Sequence, residues 1–263
     1  MFSTLIFFIN SKNFKYFIKK VSIVLFWLLI WQLVSATVSN NILIVGPVDT
    51  LIALFNISGT SSFWISIFNT LIRTIGGFLA ASLISVFIAF FAYYFNIIKE
   101  LIDPFINLIK AIPVASYVIL VLIWLRGSNM LSFVIAFLVV FPVSYISILN
   151  GLMSTDKKLL EVAKIFHISF LKKLKYIYIP TIKPFLLSSF ETTIGMSFKS
   201  GIAAELIGQP QNTIGFYLYQ SKVFLDTSEL FAWTFVIVIL SYGFEKLCTL
   251  LIKHYFKLNE VVK

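Results

Sequence analysis

Three windows of the chain hold no charged residue: Val21 to Val48, Thr74 to Ile98 and Gly127 to Thr155. Each is longer than the ~20 residues that carry an α-helix across ~30 Å of hydrocarbon. With the other apolar runs they predict an all-α integral membrane protein of about six transmembrane helices. The spans fall at Val21–Val38, Phe63–Phe95, Phe105–Leu125, Met130–Leu149, Pro184–Ile207 and Trp233–Leu251. The second is longer than a bilayer requires, so one end protrudes or the helix tilts. Pro113 interrupts the third and Pro142 lies inside the fourth, where a proline removes one backbone hydrogen bond and kinks the helix. Met1–Asn10 is apolar but too short to span, which suits a segment in the membrane interface.

The polar stretches between these runs set the organisation. Residues 39–62, with Gly46-Pro47 and Gly59, read as an external loop in which Leu51–Ile57 makes an amphipathic turn or two. Residues 96–104 read as an internal loop, and Arg126-Gly127-Ser128-Asn129 as a tight external turn. Gly208, Pro210, Asn212 and Gly215 mark turns in a last external segment, 208–230. Three parts follow: 1–62 (basic segment, first span, external loop), 63–252 (the transmembrane domain, with a loop at 151–183) and 253–263 (a tail).

That loop contains the one stretch that is polar, basic and helical in pattern, Asp156 to Pro180. Asp156 suits an N-cap, because its carboxylate can accept from free N–H groups of the first turn. Leu159, Leu160, Val162, Ala163, Ile165 and Phe166 gather on one side of the helix that follows. Lys157, Glu161 and Lys164 fall on the other. A turn at His167, a second cap at Ser169 and a short helix stopped by Pro180 complete a helix–turn–helix suited to meeting a soluble partner. On this pattern alone, Glu161 is also satisfied as a surface carboxylate paired with Lys157 or Lys164.

The same residues resemble the cytoplasmic signature of permeases of ATP-binding cassette importers: Glu-Ala-Ala, Gly after three more positions, and Ile-x-Leu-Pro after a further nine. Glu161, Ala163, Ile177 and Pro180 stand in register, with Val162 for Ala, His167 for Gly and Ile179 for Leu. His167 is the marked departure, at a turn where glycine tolerates positive φ and His is among the other residues enriched there. TLIRTIGGFLAA, DPFINLIKAIP and KSGIAAELIG are similar to the nitrate, sulfonate and taurine branch of that family, extending the resemblance from about Thr70 to Lys246. It implies a permease subunit that moves a small organic or anionic nutrient across the cytoplasmic membrane by alternating access. It also implies a second permease copy, cytoplasmic ATPase subunits carrying ATP-Mg, and an extracytoplasmic substrate-binding protein. Glu161, Ala163, His167, Ile177 and Pro180 would then couple the spans to the ATPase.

Composition and charge refine the picture. The chain of 263 residues is 59% hydrophobic and 12% charged, against about 25% charged in soluble domains. Its net charge, 21 − 11 = +10, would suggest nucleic acid in a soluble protein. Here Lys12, Lys15, Lys19 and Lys20, the seven lysines of 151–183, and Lys246, Lys253, Lys257 and Lys263 occupy alternate loops. That is the positive-inside pattern, with both termini cytoplasmic. The basic start and first apolar run also fit a signal peptide with Val34-Ser35-Ala36 as cleavage site, whose removal would not invert the rest.

Chemistry of other kinds finds little support. Cys248 is the only cysteine, so no intrachain disulfide forms. No Gly-x-x-x-x-Gly-Lys-Ser/Thr occurs, so ATP is not expected on this chain, nor any other cofactor. His167 and His254 have no neighbouring ligand set, and no catalytic cluster appears. Glu191 and Lys199 lie inside the fifth span, ~80° apart in azimuth and ~12 Å along the axis, too far for direct pairing. Charges at such depth face a bundle interior or a watery cavity. Lys199 is a candidate for the transport route with Pro113, whereas Glu191 can also snorkel to the interface. Gly195 and Gly201 can serve close helix packing. A secondary transporter or channel without an ATPase is the alternative reading; it expects intramembrane acid or repeat signals for ion coupling, and the chain displays no convincing internal repeat.

Overall fold

A computed structural model of the chain describes residues 12–38, 40–125 and 129–261, and only the backbone of 12–15, 17 and 251–261. The expectations for Met1–Asn10 and for the turn residues Arg126–Ser128 lie outside the described residues. The described residues form helices and no strand. In order these are α1 (Lys12–Val38), α2 (Pro47–Ser58), α3 (Ser61–Tyr94), α4 (Asn96–Ala111), α5 (Val114–Trp124), α6 (Leu131–Met153), α7 (Lys157–Ile165) and α8 (Phe170–Lys173). A π-helical turn (Leu174–Tyr178), α9 (Ile179–Gly208), α10 (Ile214–Val223) and α11 (Thr227–Val261) follow.

The helices fall into two compact units, Met1–Thr60 with Gln220–Thr234, and Ser61–Tyr219 with Phe235–Lys263. In the first, the Trp31 indole donates to the Val45 carbonyl at 2.9 Å and stacks on Phe231. Pro47 opens α2 in the first turn, where its missing N–H costs nothing.

The second unit is built on α3, α6 and α9. The buried face of α3 is a stripe of small residues, Ser66, Thr70, Thr74, Gly77, Ala81, Ser85, Ala89 and Ala92, at steps of three or four. Small side chains let backbones approach closely. A Cβ on Gly77 would lie 2.3 Å from the Phe133 carbonyl oxygen, so only glycine fits against α6 there. In α6, 61% of the apolar window is buried, against 6% in α1, which places α6 at the centre of its unit. Ser189 and Thr193 of α9 are buried, and the Ser189 hydroxyl meets that of Ser144 on α6 at 3.2 Å.

Among the described residues, four helical segments are long and apolar enough to cross a membrane: Ile18–Val38, Ser61–Tyr94, Leu131–Met153 and Thr227–Leu250. α9 is long enough at 30 residues, but its serines, threonines and charges keep it out of that set. Burial of Ser189, Thr193, Ser197 and Ser200 removes the need for an apolar surface on that side.

The third expected span is corrected. Phe105–Leu125 is not one kinked helix: α4 and α5 meet at a bend of 110°. Ile112 before Pro113 is extended (φ −86°, ψ 131°), as steric conflict with the proline ring demands. Residues 96–104 are not a loop either, because α4 begins at Asn96 and runs through Pro104. Pro180 does not stop a helix. The π turn just before it sends the Ile179 N–H to the Leu174 carbonyl, and this wider spacing lets the helix continue past a residue without an N–H.

Candidate functional site

The loop at 151–183 is built from local interactions. Asp156 caps α7, its carboxylate accepting from the Lys158 N–H at 2.8 Å. At the other end His167 takes φ 48°. Its N–H reaches the Lys164 carbonyl at 3.1 Å and that of Ile168 reaches Ala163 at 2.9 Å. Those two bonds and one left-handed residue form a Schellman closure, the place where glycine is usual. Ser169 sits at the start of α8, but its hydroxyl makes no capping bond.

Ala163 is 1% exposed and Leu160 packs on the core of the second unit, so one edge of α7 is held. The rest is open: Leu159, Val162, Ile165 and Phe166 are exposed, as is Leu171 beyond the turn. Glu161 is exposed beside them and makes no hydrogen bond or ion pair among the described residues. Ile177 is half-buried in the π turn and Pro180 exposed at the start of α9. Between them Tyr178 is buried, and its hydroxyl meets that of Tyr94 on α3 at 2.8 Å. Phe90, Tyr93 and Tyr94 ring it edge-on, and Phe170 of α8 packs on Phe90. Burial, then the hydrogen bond shared with Tyr94, pushes the Tyr178 phenol up to about 12. The loop is thus joined to α3 by this aromatic cluster and to α9 by continuous helix.

The three candidate route residues are not brought into one cluster. Lys199 and Glu191 are both exposed on α9, along a stripe with Ser188, Thr192, Met196 and Ala203. Lys199 has no hydrogen-bond or ion-pair partner among the described residues. Pro113 is exposed at the break between α4 and α5.

Sequence reasoning missed Glu205, six residues beyond Lys199 on α9. It is fully buried and accepts from Thr70 Oγ1 at 2.8 Å, Ser132 Oγ at 3.0 Å and the Gly215 N–H at 3.3 Å. A carboxylate inside an apolar run was the available signal, but its partners lie 135 and 73 residues away. Gly215, expected in a turn, instead lies in α10 against the Glu205 backbone.

A separate cleft in the first unit is lined by Asn41, Asp49, Asn56, Asp226 and Glu229. Two of its acids have local work: Asp226 accepts from the Glu229 N–H, and Glu229 from the Trp233 indole.

Residues 81–257 match the family model described as binding-protein-dependent transport system inner membrane component. A Brucella melitensis protein named as a probable ABC transporter permease is 24% identical over 82% of this chain and 87% of its own length. The taurine transport system permease protein TauC of Escherichia coli is 24% identical, covering 82% of this chain and 80% of the relative. In fold the chain is similar to a solved amino acid ABC transporter with histidines, with TM-score 0.57, 19% identity, and 80% and 98% of the two chains covered.

Proposed function

The chain belongs to the inner membrane components of binding-protein-dependent transport systems, and from that premise we propose how this permease subunit of an ATP-driven importer works. α7 is the part that a separate cytoplasmic ATPase grips. The observation that carries this reading is a helix fixed at both ends yet open on one side. Its cap, its Schellman closure and Ala163 hold it, while Leu159, Val162, Ile165 and Phe166 stay exposed beside Glu161. Burying a large apolar side chain contributes about 1.5–3 kcal/mol, so a partner covering this face gains affinity. A basic group opposite Glu161 would fix register.

ATP-Mg sits on the partner subunits. When they close, α7 moves as a rigid lever. The aromatic cluster at Tyr178 passes the motion to α3, and the π turn passes it to α9. Glu161, Ala163, His167, Ile177 and Pro180 serve this coupling. The exposed stripe of α9 that carries Lys199 and Glu191 faces the transport route, shared with a second permease copy, and Pro113 shapes its edge. An extracytoplasmic binding protein delivers the cargo. The similarity to a taurine permease and the unpaired Lys199 together support a small sulfonate or related anion as substrate.

The lysine-rich loop lies in the cytoplasm with both termini, and the protein in the cytoplasmic membrane. Cysteines at Lys172→Cys and Asn212→Cys in a Cys248→Ser background test this. Outside labelling of Asn212→Cys alone is expected, and outside labelling of Lys172→Cys would overturn it. The function itself is tested by purifying the tagged chain in mild detergent. A soluble ATPase should accompany it, and taurine uptake into vesicles should require ATP and fall in Lys199→Met. Purification without an ATPase, with ATP-independent uptake, would point to a secondary carrier.

A further inference from the structure

The corner around Glu205 joins four pieces of one unit. Glu205 lies in the last turn of α9, Thr70 on α3, Ser132 on α6, and Ile214 and Gly215 begin α10. Thr70 Oγ1 accepts from the Ile214 N–H at 3.1 Å, so its single proton is directed to Glu205. Oε2 therefore receives two donors, the Thr70 hydroxyl and the Gly215 N–H, and Oε1 receives Ser132. The carboxylate thus also serves the start of α10, where free N–H groups favour a negative charge. The turn between is held by Gln209 and Asn212 at φ 50° and 55°, and Asn69 donates to the Asn212 carbonyl at 2.9 Å on the rim.

Packing is as tight as the hydrogen bonding. A Cβ on Gly215 would lie 2.4 Å from that of Glu205, and one on Gly201 would lie 2.8 Å from the Thr74 hydroxyl. Parting this corner would strand a carboxylate and three donors in a low-dielectric setting, at a desolvation penalty for each group left unpaired. The other end of α9 begins in a π turn, beside a loop whose apolar face is unfilled.

We infer that Glu205 is a positioning residue that holds the end of α9, the turn 209–213 and the start of α10 to α3 and α6 as one block, closed throughout the transport cycle. The inference rests on the importer reading for its cycle, but the closed block is a property of this chain alone. Motion delivered at α7 then acts on helices whose far ends are fastened together, and the open stripe of α9 keeps its facing.

Spin labels at Ile72→Cys and Gln211→Cys, in a Cys248→Ser background, report across the corner without removing one of its bonds. The full chain is purified with its ATPase and diluted with unlabelled chain, so that only pairs within one copy are read. One narrow distance is expected, the same without nucleotide and with ATP and vanadate. Glu205→Gln should keep it, because the amide oxygen can accept from Thr70 and Gly215 while its NH₂ donates to Ser132. Glu205→Leu should lose it. If that variant does not fold, Thr70→Val, which removes the bridge to Ile214 but keeps the shape, should lose it instead. A second distance with ATP, or a narrow distance in both Glu205→Leu and Thr70→Val, would overturn the inference. Absence of a co-purifying ATPase would count against the importer reading, while the distances would still decide the block.

Discussion

The two ends of α9 solve opposite problems. At its N-terminal end the chain leaves apolar groups in the open: Phe166 is 74% exposed and Leu171 75%. At its C-terminal end it buries a carboxylate completely, with a donor for each demand. Exposed apolar area is stabilising only when something else covers it. A buried carboxylate is tolerable only when its partners are already in place. One end is therefore built for a partner still to come, and the other is finished within the chain. Substitutions of the exposed apolar groups at the open end should change assembly and leave stability alone, and those at the closed end should do the reverse.

The largest effect is expected at the closed end. Gly215→Ala would push a methyl to 2.4 Å from Glu205 Cβ, an overpacking that costs about 1–3 kcal/mol. Thermal unfolding in detergent should show the loss. Gly243→Ala is the control: nothing lies within 4 Å of its Cβ position, and alanine in a helix is favoured by up to about 1 kcal/mol. Equal shifts in the two variants would mean the corner is not close-packed.

At the open end Phe166→Ser should weaken ATPase binding by about 2 kcal/mol, roughly thirtyfold, with the unfolding temperature unchanged. A stability loss without a binding loss would show that Phe166 packs internally. His167 sharpens the contrast, because its φ of 48° costs a β-branched residue about 1–2 kcal/mol. His167→Val should thus loosen α7 and lower coupled ATP hydrolysis, whereas His167→Gly should match the parent. The smallest effect belongs to Tyr178→Phe, which removes one hydrogen bond worth about 0.5–1.5 kcal/mol. With its phenol raised from 10.0 to about 12, Tyr178 supports folding fully below the unfolded value. That support fades only as pH climbs towards the raised one. Over the neutral range the parent and Tyr178→Phe should therefore differ by a constant amount in unfolding titrations.

The open end was legible in sequence because everything that shapes it is local. Asp156, the apolar face, His167 and Pro180 fall within one short stretch, and caps and turns are properties of neighbours. Pro180 was misread for a related reason: whether a proline ends a helix depends on the spacing before it, and no residue type announces a π turn. The closed end was hidden because its bonds are long-range. Thr70 and Ser132 look like any hydroxyls in apolar helices, and only the fold brings them to Glu205. α9 was read as the span Pro184–Ile207, although a helix wrapped by its neighbours can be polar enough to escape a hydropathy count. Phe105–Leu125 was apolar enough to pass as one span, yet the extended Ile112 before Pro113 divides it.

The central claim is that α7 docks a separate ATPase through Glu161 and the apolar groups around it. The direct measurement is the amount of ATPase co-purifying with the parent, Glu161→Ala and Glu161→Lys, together with ATP hydrolysis by each complex in vesicles. Glu161 is exposed, so all three chains should insert and fold alike. The account predicts reduced co-purification and hydrolysis for Glu161→Ala and a larger loss for Glu161→Lys, where repulsion replaces attraction. Equal assembly and equal hydrolysis in all three would contradict it and leave Glu161 a solvated surface residue.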